Sequence, residues 1–467
     1  MRISTSMIYD LGVNRLQQQS SDLIKIQQQI AAQRRILAPS DDPIASARVL
    51  EVSQSSSLNK QYDTNMGSVT SALGQEDIIL NSVELLIQDV RTSAVSAGNG
   101  SFTDQERASL ASELRGRYQD LLGLANSTDG NGQHLFSGYR GNATPFTETT
   151  PGNVAYFGDQ GQRLIQISTS RQIAASDSGA DIFLKGMNGN GTFVTAASAA
   201  NTGSGVISPG SVLDLSKWNS AANNKDYRIV FAVDNTGASP VTTYDIIDPA
   251  NNSIITGAAS EALASATGGA RFPRIYNSGS DIGFKQLDTD PGMPGYAATG
   301  QPAGFATAVA WDYGNAVSIN GDPASSQAVG VYNPATPGID SFTVKASTNT
   351  NIFTTINDLI TLLKTPTIGS AGNTQLTNGL NTALSNLDGS LNNILTVRAS
   401  VGARMRENDA VQSTGADLQL QYQQTTSALQ DLDVVKAYTD LTRQQTALQA
   451  SQQSFMKVQS LSLFNYM

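Results

Sequence analysis

Histidine and cysteine supply many of the general bases, thiol nucleophiles and zinc ligands in proteins, and this 467-residue chain holds one histidine, His134, and no cysteine. Disulfides, thiol catalysis and Cys/His zinc sites are thereby excluded, and a serine triad would have to be built on His134. The adjacent carboxylates in Pro39-Ser-Asp-Asp-Pro43, Asp41 and Asp42, could share a proton for acid/base work. Flanked by prolines they read better as a turn and a helix cap, with Asp accepting free amides and Pro opening the next helix. Asp288-Thr-Asp290-Pro-Gly292 begins like a calcium loop, but no glutamate stands at the twelfth position and the proline breaks the template, so it reads as a surface turn. Asn188-Gly-Asn-Gly-Thr192 lacks the Lys-Ser/Thr of a phosphate loop. His134 has no motif around it and reads as a structural or solvated histidine, not a ligand. No catalytic residue, cofactor site or metal site is predicted.

The regular spacing belongs to apolar residues instead. Leu16, Leu23, Ile26, Ile30 and Leu37 are separated by 7, 3, 4 and 7 residues, the rhythm of a coiled-coil seam. Near the other end Leu420, Val434, Leu441, Leu448 and Phe455 recur on multiples of seven, with Tyr438 in a second row, and Leu461 and Phe464 follow. Stripes this narrow cover one side of a helix and call for partner helices. Around them, Gln17–Gln19, Gln27–Gln29, Gln444-Gln445 and Gln452-Gln453 replace the usual Lys and Glu, and neutral amides can pack against copies of themselves without charge repulsion.

Composition narrows the function classes. The formal net charge is −10 and no basic cluster interrupts it, which argues against nucleic acid and anionic membrane as partners. No run of about 18 apolar residues offers a membrane span. The opening MRISTSMIYD has no apolar core or cleavage site of a secretory signal, so any export is expected to need no cleavable peptide.

Proline and glycine divide the chain. Ten of the 15 prolines and 20 of the 41 glycines fall within 180–344, and residues 44–144 hold no proline. A helix restarts after Pro43 with Tyr62, Met66, Val69, Leu73, Leu80, Val83, Ile87 and Val90 on one face. Thr103-Asp-Gln-Glu106 is a capping box for a third helix to about Asn126, with Leu110, Leu114, Tyr118, Leu121 and Ala125 buried. Leu135-Phe136, Val154–Phe157 and Leu164–Ile167 predict short strands. So do Tyr227–Val233, Tyr244–Ile247, Val317–Ile319 and Phe342–Val344, whereas 188–210 reads as poorly ordered loop. Helical spacing returns at Ile352–Leu363 and runs from Gln375 to the end. The expectation is a mainly α protein with an inserted β-rich domain. Residues 1–39 plus 430–467 form a terminal coiled-coil-like assembly domain, 40–179 plus 345–429 a helical rod with a β-hairpin, and 180–344 a β-rich domain at the tip.

Several segments carry a family resemblance: Arg2-Ile-Ser-Thr-Ser-Met7, Ser40-Asp-Asp-Pro43 with Ala45, Ala47 and Leu50, Asn131-Gly-Gln-His-Leu-Phe-Ser-Gly138 with Pro145-Phe146, and Asp431-Leu-Asp-Val-Val-Lys-Ala-Tyr-Thr-Asp440 through Ala447-Leu-Gln-Ala-Ser451 to Leu461-Ser-Leu-Phe464. Together they resemble the flagellin family of bacterial flagellar axial proteins, and within it the hook-filament junction members. The resemblance covers about 180 residues at the start and 120 at the end. It implies a structural subunit without enzymatic activity or cofactor, exported through the flagellar type III apparatus and held beforehand by a chaperone on its C-terminal helix. It further implies assembly as a homo-oligomeric ring between the first hook-filament junction protein and flagellin, outside the cell. A flagellin filament subunit is the sibling reading. A glycan-binding adhesin or hydrolase using Trp218 and Trp311 in the middle domain is the reading from a different class.

Overall fold

The computed structural model describes residues 5–234, 239–251, 253–255, 274–287, 311–325 and 339–464. The helices α1 (Thr5–Ala32), α2 (Pro43–Ala97) and α3 (Asp104–Ala125) come first. Two short hairpins follow, β1 (Phe146–Thr150) with β2 (Asn153–Tyr156) and β3 (Leu164–Gln166) with β4 (Gln172–Ala174). The middle opens with α4 (Gly179–Phe183), β5 (Gly186–Met187), β6 (Phe193–Ala197), β7 (Val206–Ile207), β8 (Ser211–Val212), α5 (Leu215–Trp218) and β9 (Asp226–Asp234). It continues with β10 (Val241–Ile247), β11 (Arg274–Ile275), β12 (Asp281–Lys285), β13 (Asp312–Asn320), β14 (Ser341–Ala346) and β15 (Asn349–Thr350). Helices α6 (Ile352–Lys364), α7 (Gly369–Gln430) and α8 (Val434–Phe464) close the chain. It is a mainly helical protein with a β-rich middle, as the two periodicities predict.

The chain folds as two compact bodies, one holding residues up to Val69, Ile165–Ile173 and Arg406 onward, the other Thr70–Leu164 and Ala174–Met405. In the second body the predicted faces of α2 and α3 are buried at Leu73, Leu80, Val83, Ile87 and Val90 on α2 and at Leu114, Tyr118, Leu121 and Ala125 on α3, while Leu110, predicted with them, is half-buried. The capping box is formed, with the Thr103 hydroxyl accepting from the Glu106 N–H at 3.3 Å and the Glu106 carboxylate accepting from the Thr103 N–H at 2.7 Å. Helix α6 packs on α3. It has a single apolar face, Ile352, Phe353, Ile356, Leu359, Ile360 and Leu363, all buried.

Strand β1 is anchored by aromatic rings. Phe146 meets Tyr156, Phe183 and Phe353 at centroid distances of 5.0–5.4 Å, and Phe353 meets Tyr118 edge-on at 6.0 Å. Such offset and edge contacts are each worth about 1 kcal/mol beyond burial. Leu135-Phe136 is not a strand as predicted. It lies in a tight loop where the Asp129 carboxylate accepts the amides of Asn131 and Gln133, both at 2.9 Å, and its side chains fill the core beneath. Gly138 has φ +70°, and a Cβ there would lie 2.1 Å from Asp159 Oδ1, so the loop requires glycine. His134 is a satisfied structural histidine, with Nδ1 2.8 Å from the Asn126 carbonyl oxygen.

The middle region holds two antiparallel sheets, one ordered β11-β10-β9-β14-β6 and the other β12-β13-β7 with β8 beside β13. Register sets Tyr244 opposite Phe231 and Phe342 opposite Ile229, so period-2 side chains from both sheets meet in one core with Phe193, Trp218, Phe284 and Ile319. The expectation of poor order over 188–210 fails: β6 pairs with β14 and buries Phe193 in that core. Trp218 is 2% exposed, packed 5.3 Å from Phe193, and cannot stack on a sugar. The segment Asp288–Gly292 lies outside the described residues.

Candidate functional site

No described group of three or more His, Cys, Asp or Glu could hold a metal ion, and no described helix is long and apolar enough to cross a membrane. The arrangement that gathers the predicted site residues is the pairing of α1 with α8 in the first body. The two run antiparallel. At one end Phe455 lies 5.3 Å from the ring of Tyr9 and closes over Gly12, where an added Cβ would sit 2.8 Å from two ring atoms. At the other end Arg34 bridges Asp431 in an antiparallel backbone contact.

Among the buried and half-buried positions, Gly12, Leu16, Gln19, Leu23, Ile26 and Ile30 form a row along α1, and Ala437, Leu441, Gln444, Leu448, Ser451 and Phe455 a row along α8. Each set steps by alternating fours and threes, the heptad rhythm. Apart from Ala437, every member is only half-buried. Of the predicted residues, Leu16, Leu23, Ile26, Ile30, Leu441, Leu448 and Phe455 stand on this inner face, whereas Leu37, Val434 and Tyr438 are exposed. The side chains of Leu461 and Phe464 lie outside the described residues. Gly12, Gln19, Ala437, Gln444 and Ser451 were missed because only large apolar positions were counted. The four-three spacing would have found them. Gln19 Oε1 is buried without a hydrogen-bond partner among the described residues.

The links beside the pair are fixed by backbone bonds between distant segments. The Arg35 N–H donates to the Gln430 carbonyl at 2.8 Å, the Leu432 N–H to the Gln33 carbonyl at 3.2 Å, and the Arg35 guanidinium to the Leu429 carbonyl at 2.6 Å. Gln33 takes φ +51° to allow the crossing. Helical spacing alone suggested one run from Gln375 onward; it breaks at Asp431–Asp433, where Asp433 caps α8 by accepting the Lys436 N–H at 3.0 Å.

Asp41 and Asp42 have their oxygens filled, as the cap reading requires. Asp41 accepts the amides of Leu37 and Ala38 at 3.0 and 3.1 Å and pairs with Lys25 at 2.7 Å, and Asp42 accepts the Ala45 N–H at 3.0 Å ahead of Pro43. The Lys25 hydrogen bond, followed by those amides, holds the Asp41 carboxyl down at about 2. The chemistry available here is pairing: a helix couple with a half-covered seam and apolar side chains, Leu11, Ile24, Val435, Tyr438 and Met456, exposed on its outside.

Residues 3–141 match the class described as the bacterial flagellin N-terminal helical region. Within that class the chain is similar to flagellar hook-associated protein 3. It is 37% identical to that protein of Salmonella typhimurium and 34% identical to that of Escherichia coli, each over 183 residues, which is 39% of this chain. The match spans 57% of the length of each of these relatives. The crystal structure of the flagellar junction protein FlgL from Legionella pneumophila covers 83% of this chain and 100% of its own, with a TM-score of 0.63 at 24% identity, and so shares its fold.

Proposed function

We propose that this chain is a structural subunit of the bacterial flagellum, forming the junction between the hook-side junction protein and the flagellin filament. The observation that carries this reading is the α1–α8 pair, whose inner seam is half-covered and whose outer face exposes Leu11, Ile24, Val435, Tyr438 and Met456. Large apolar side chains left open on two adjoining helices are accounted for by neighbouring subunits. The similarity to hook-associated protein 3 supports the choice of junction over filament.

In this reading residues 1–39 and 430–467 are the assembly domain. Residues 40–179 and 345–429 are its helical support, and 180–344 an inserted β-rich domain. The seam residues Leu16, Leu23, Ile26, Ile30, Leu37, Val434, Tyr438, Leu441, Leu448, Phe455, Leu461 and Phe464 meet copies of the chain in a ring, the first hook-filament junction protein and flagellin. Before assembly an export chaperone covers the last helix while the chain passes through the flagellar type III apparatus to the cell exterior. The role is mechanical and involves no catalysis.

Gold-labelled chain imaged on intact flagella should decorate a single band where hook meets filament. Label along the whole filament, or long filaments grown from the purified chain alone, would replace the junction reading with that of a flagellin.

A further inference from the structure

Glu76 stands on α2 with its carboxyl group shut away from water: the residue is 2% exposed, and the carboxyl lies against the side chain and backbone of Asp177. An ionised carboxylate is strongly disfavoured in such a place. Two charged groups face it, Asp177 from the segment ahead of α4, which opposes ionisation, and Arg404 from α7, which favours it. Arg404 is already committed. Its Nη2 bonds the Asp177 carboxylate, and its Nη1 donates to the Ala174 carbonyl at 2.9 Å. Gln162 donates to the other Asp177 oxygen at 2.8 Å. The neighbouring acids of α2, Asp77 and Glu84, share Arg398 of α7 as their own cation. Glu76 is thus left buried beside an ion pair already neutral in itself. Burial, and after it the Asp177 charge, push its carboxyl up to about 8.

We propose that Glu76 is a proton-operated latch of the second body: folding takes up a proton at this carboxyl, so that α2, α7 and the segment through Asp177 close over a neutral acid, and loss of the proton loosens their junction. All three elements meet within that body, so the latch acts on its stability independently of the junction role. In the unfolded chain Glu76 gives up its proton near 4.5, and in the folded one it keeps it to about 8. The folded state therefore holds the extra proton between those values. The stabilisation is complete below about 4.5 and is lost as pH rises toward 8, each pH unit multiplying the unfolding constant about tenfold. Acids held down by partners, such as Asp41, act in the opposite sense and only below 3.8.

The test compares the full chain with Glu76→Gln, which keeps the shape and a donor but has nothing to titrate. Trp218 and Trp311 both lie in the second body, so fluorescence during guanidinium unfolding reports on it. The ratio of the parent's unfolding constant to the variant's should climb about tenfold per unit from about pH 5.5 to about pH 7.5 and level off near pH 8. A ratio that stays constant over this range overturns the latch. Should the variant not fold, the carbon-13 shift of the Glu76 side-chain carboxyl in the parent chain decides: a titration midpoint above about 7 supports the proposal, and one below about 5 overturns it.

Discussion

Val435→Asp separates the role of the α8 surface in the chain from its role in assembly. Val435 is 79% exposed. Full burial of a valine is worth about 1.5 kcal/mol, so removing this one costs the isolated chain about 0.3 kcal/mol. The position lies two residues after the cap Asp433, in the first turn of α8. A carboxylate there meets the free amides of the helix start and gains about 0.3–1 kcal/mol. The two effects leave the isolated chain unchanged or slightly more stable. Pressed against a neighbouring subunit, the same carboxylate would be buried unpaired at a cost of several kcal/mol. Thermal unfolding by circular dichroism should therefore match the parent within about 0.5 kcal/mol. Cells carrying only the variant should lose motility and shed flagellin into the medium. Leu448→Asp, on the half-buried inner face, should differ by weakening the α1–α8 pair itself by about 1–2 kcal/mol as well as abolishing assembly. Normal motility and filament retention with Val435→Asp would refute the claim that this face meets neighbours.

Gly138→Ala places a Cβ 2.1 Å from Asp159 Oδ1 at φ +70°, and should destabilise the second body by about 2–4 kcal/mol in guanidinium unfolding; a loss below about 0.5 kcal/mol would mean the loop relaxes freely. Excising the middle strands is the next test. Met187 and Asn349 are already paired across β5 and β15, so replacing 188–348 by a short glycine linker should leave export and filament attachment largely intact, checked by motility. Loss of attachment with normal export would give the β-rich region an essential contact. For acid sensitivity, the Asp41 carboxyl is ordinarily ionised above 3.8 and in the fold is held down at about 2 by Lys25, so its contribution is present above 3.8 and lost as pH falls through 2. Asp41→Asn should accordingly flatten the acid limb of unfolding, and an unchanged limb would show that the Lys25 contact carries no stability.

The features legible in the linear chain are local or periodic. Thr103 and Glu106 stand three residues apart, and Asp42 precedes Pro43, so their caps need no distant partner to be foreseen. The stripe from Leu73 to Val90 and the alternation Tyr227, Ile229, Phe231 name a buried face through helix or strand geometry alone. The heptad stripes near the two ends likewise marked which side of α1 and α8 is apolar. Gln19, Gln444 and Ser451 stand at the same four-three spacing and were legible there too, but the stripes did not reveal what lies opposite them. The break at Asp431–Asp433 was hidden for the same reason: it is held by Arg35 and Gln33, nearly 400 residues away, and helical spacing carries no record of such a partner. Only the tertiary structure set Gly138 against Asp159 and sank Glu76 beneath Asp177 and Arg404. Burial and charge are properties of the surroundings, and the surroundings of a residue are assembled from segments that the linear chain keeps apart.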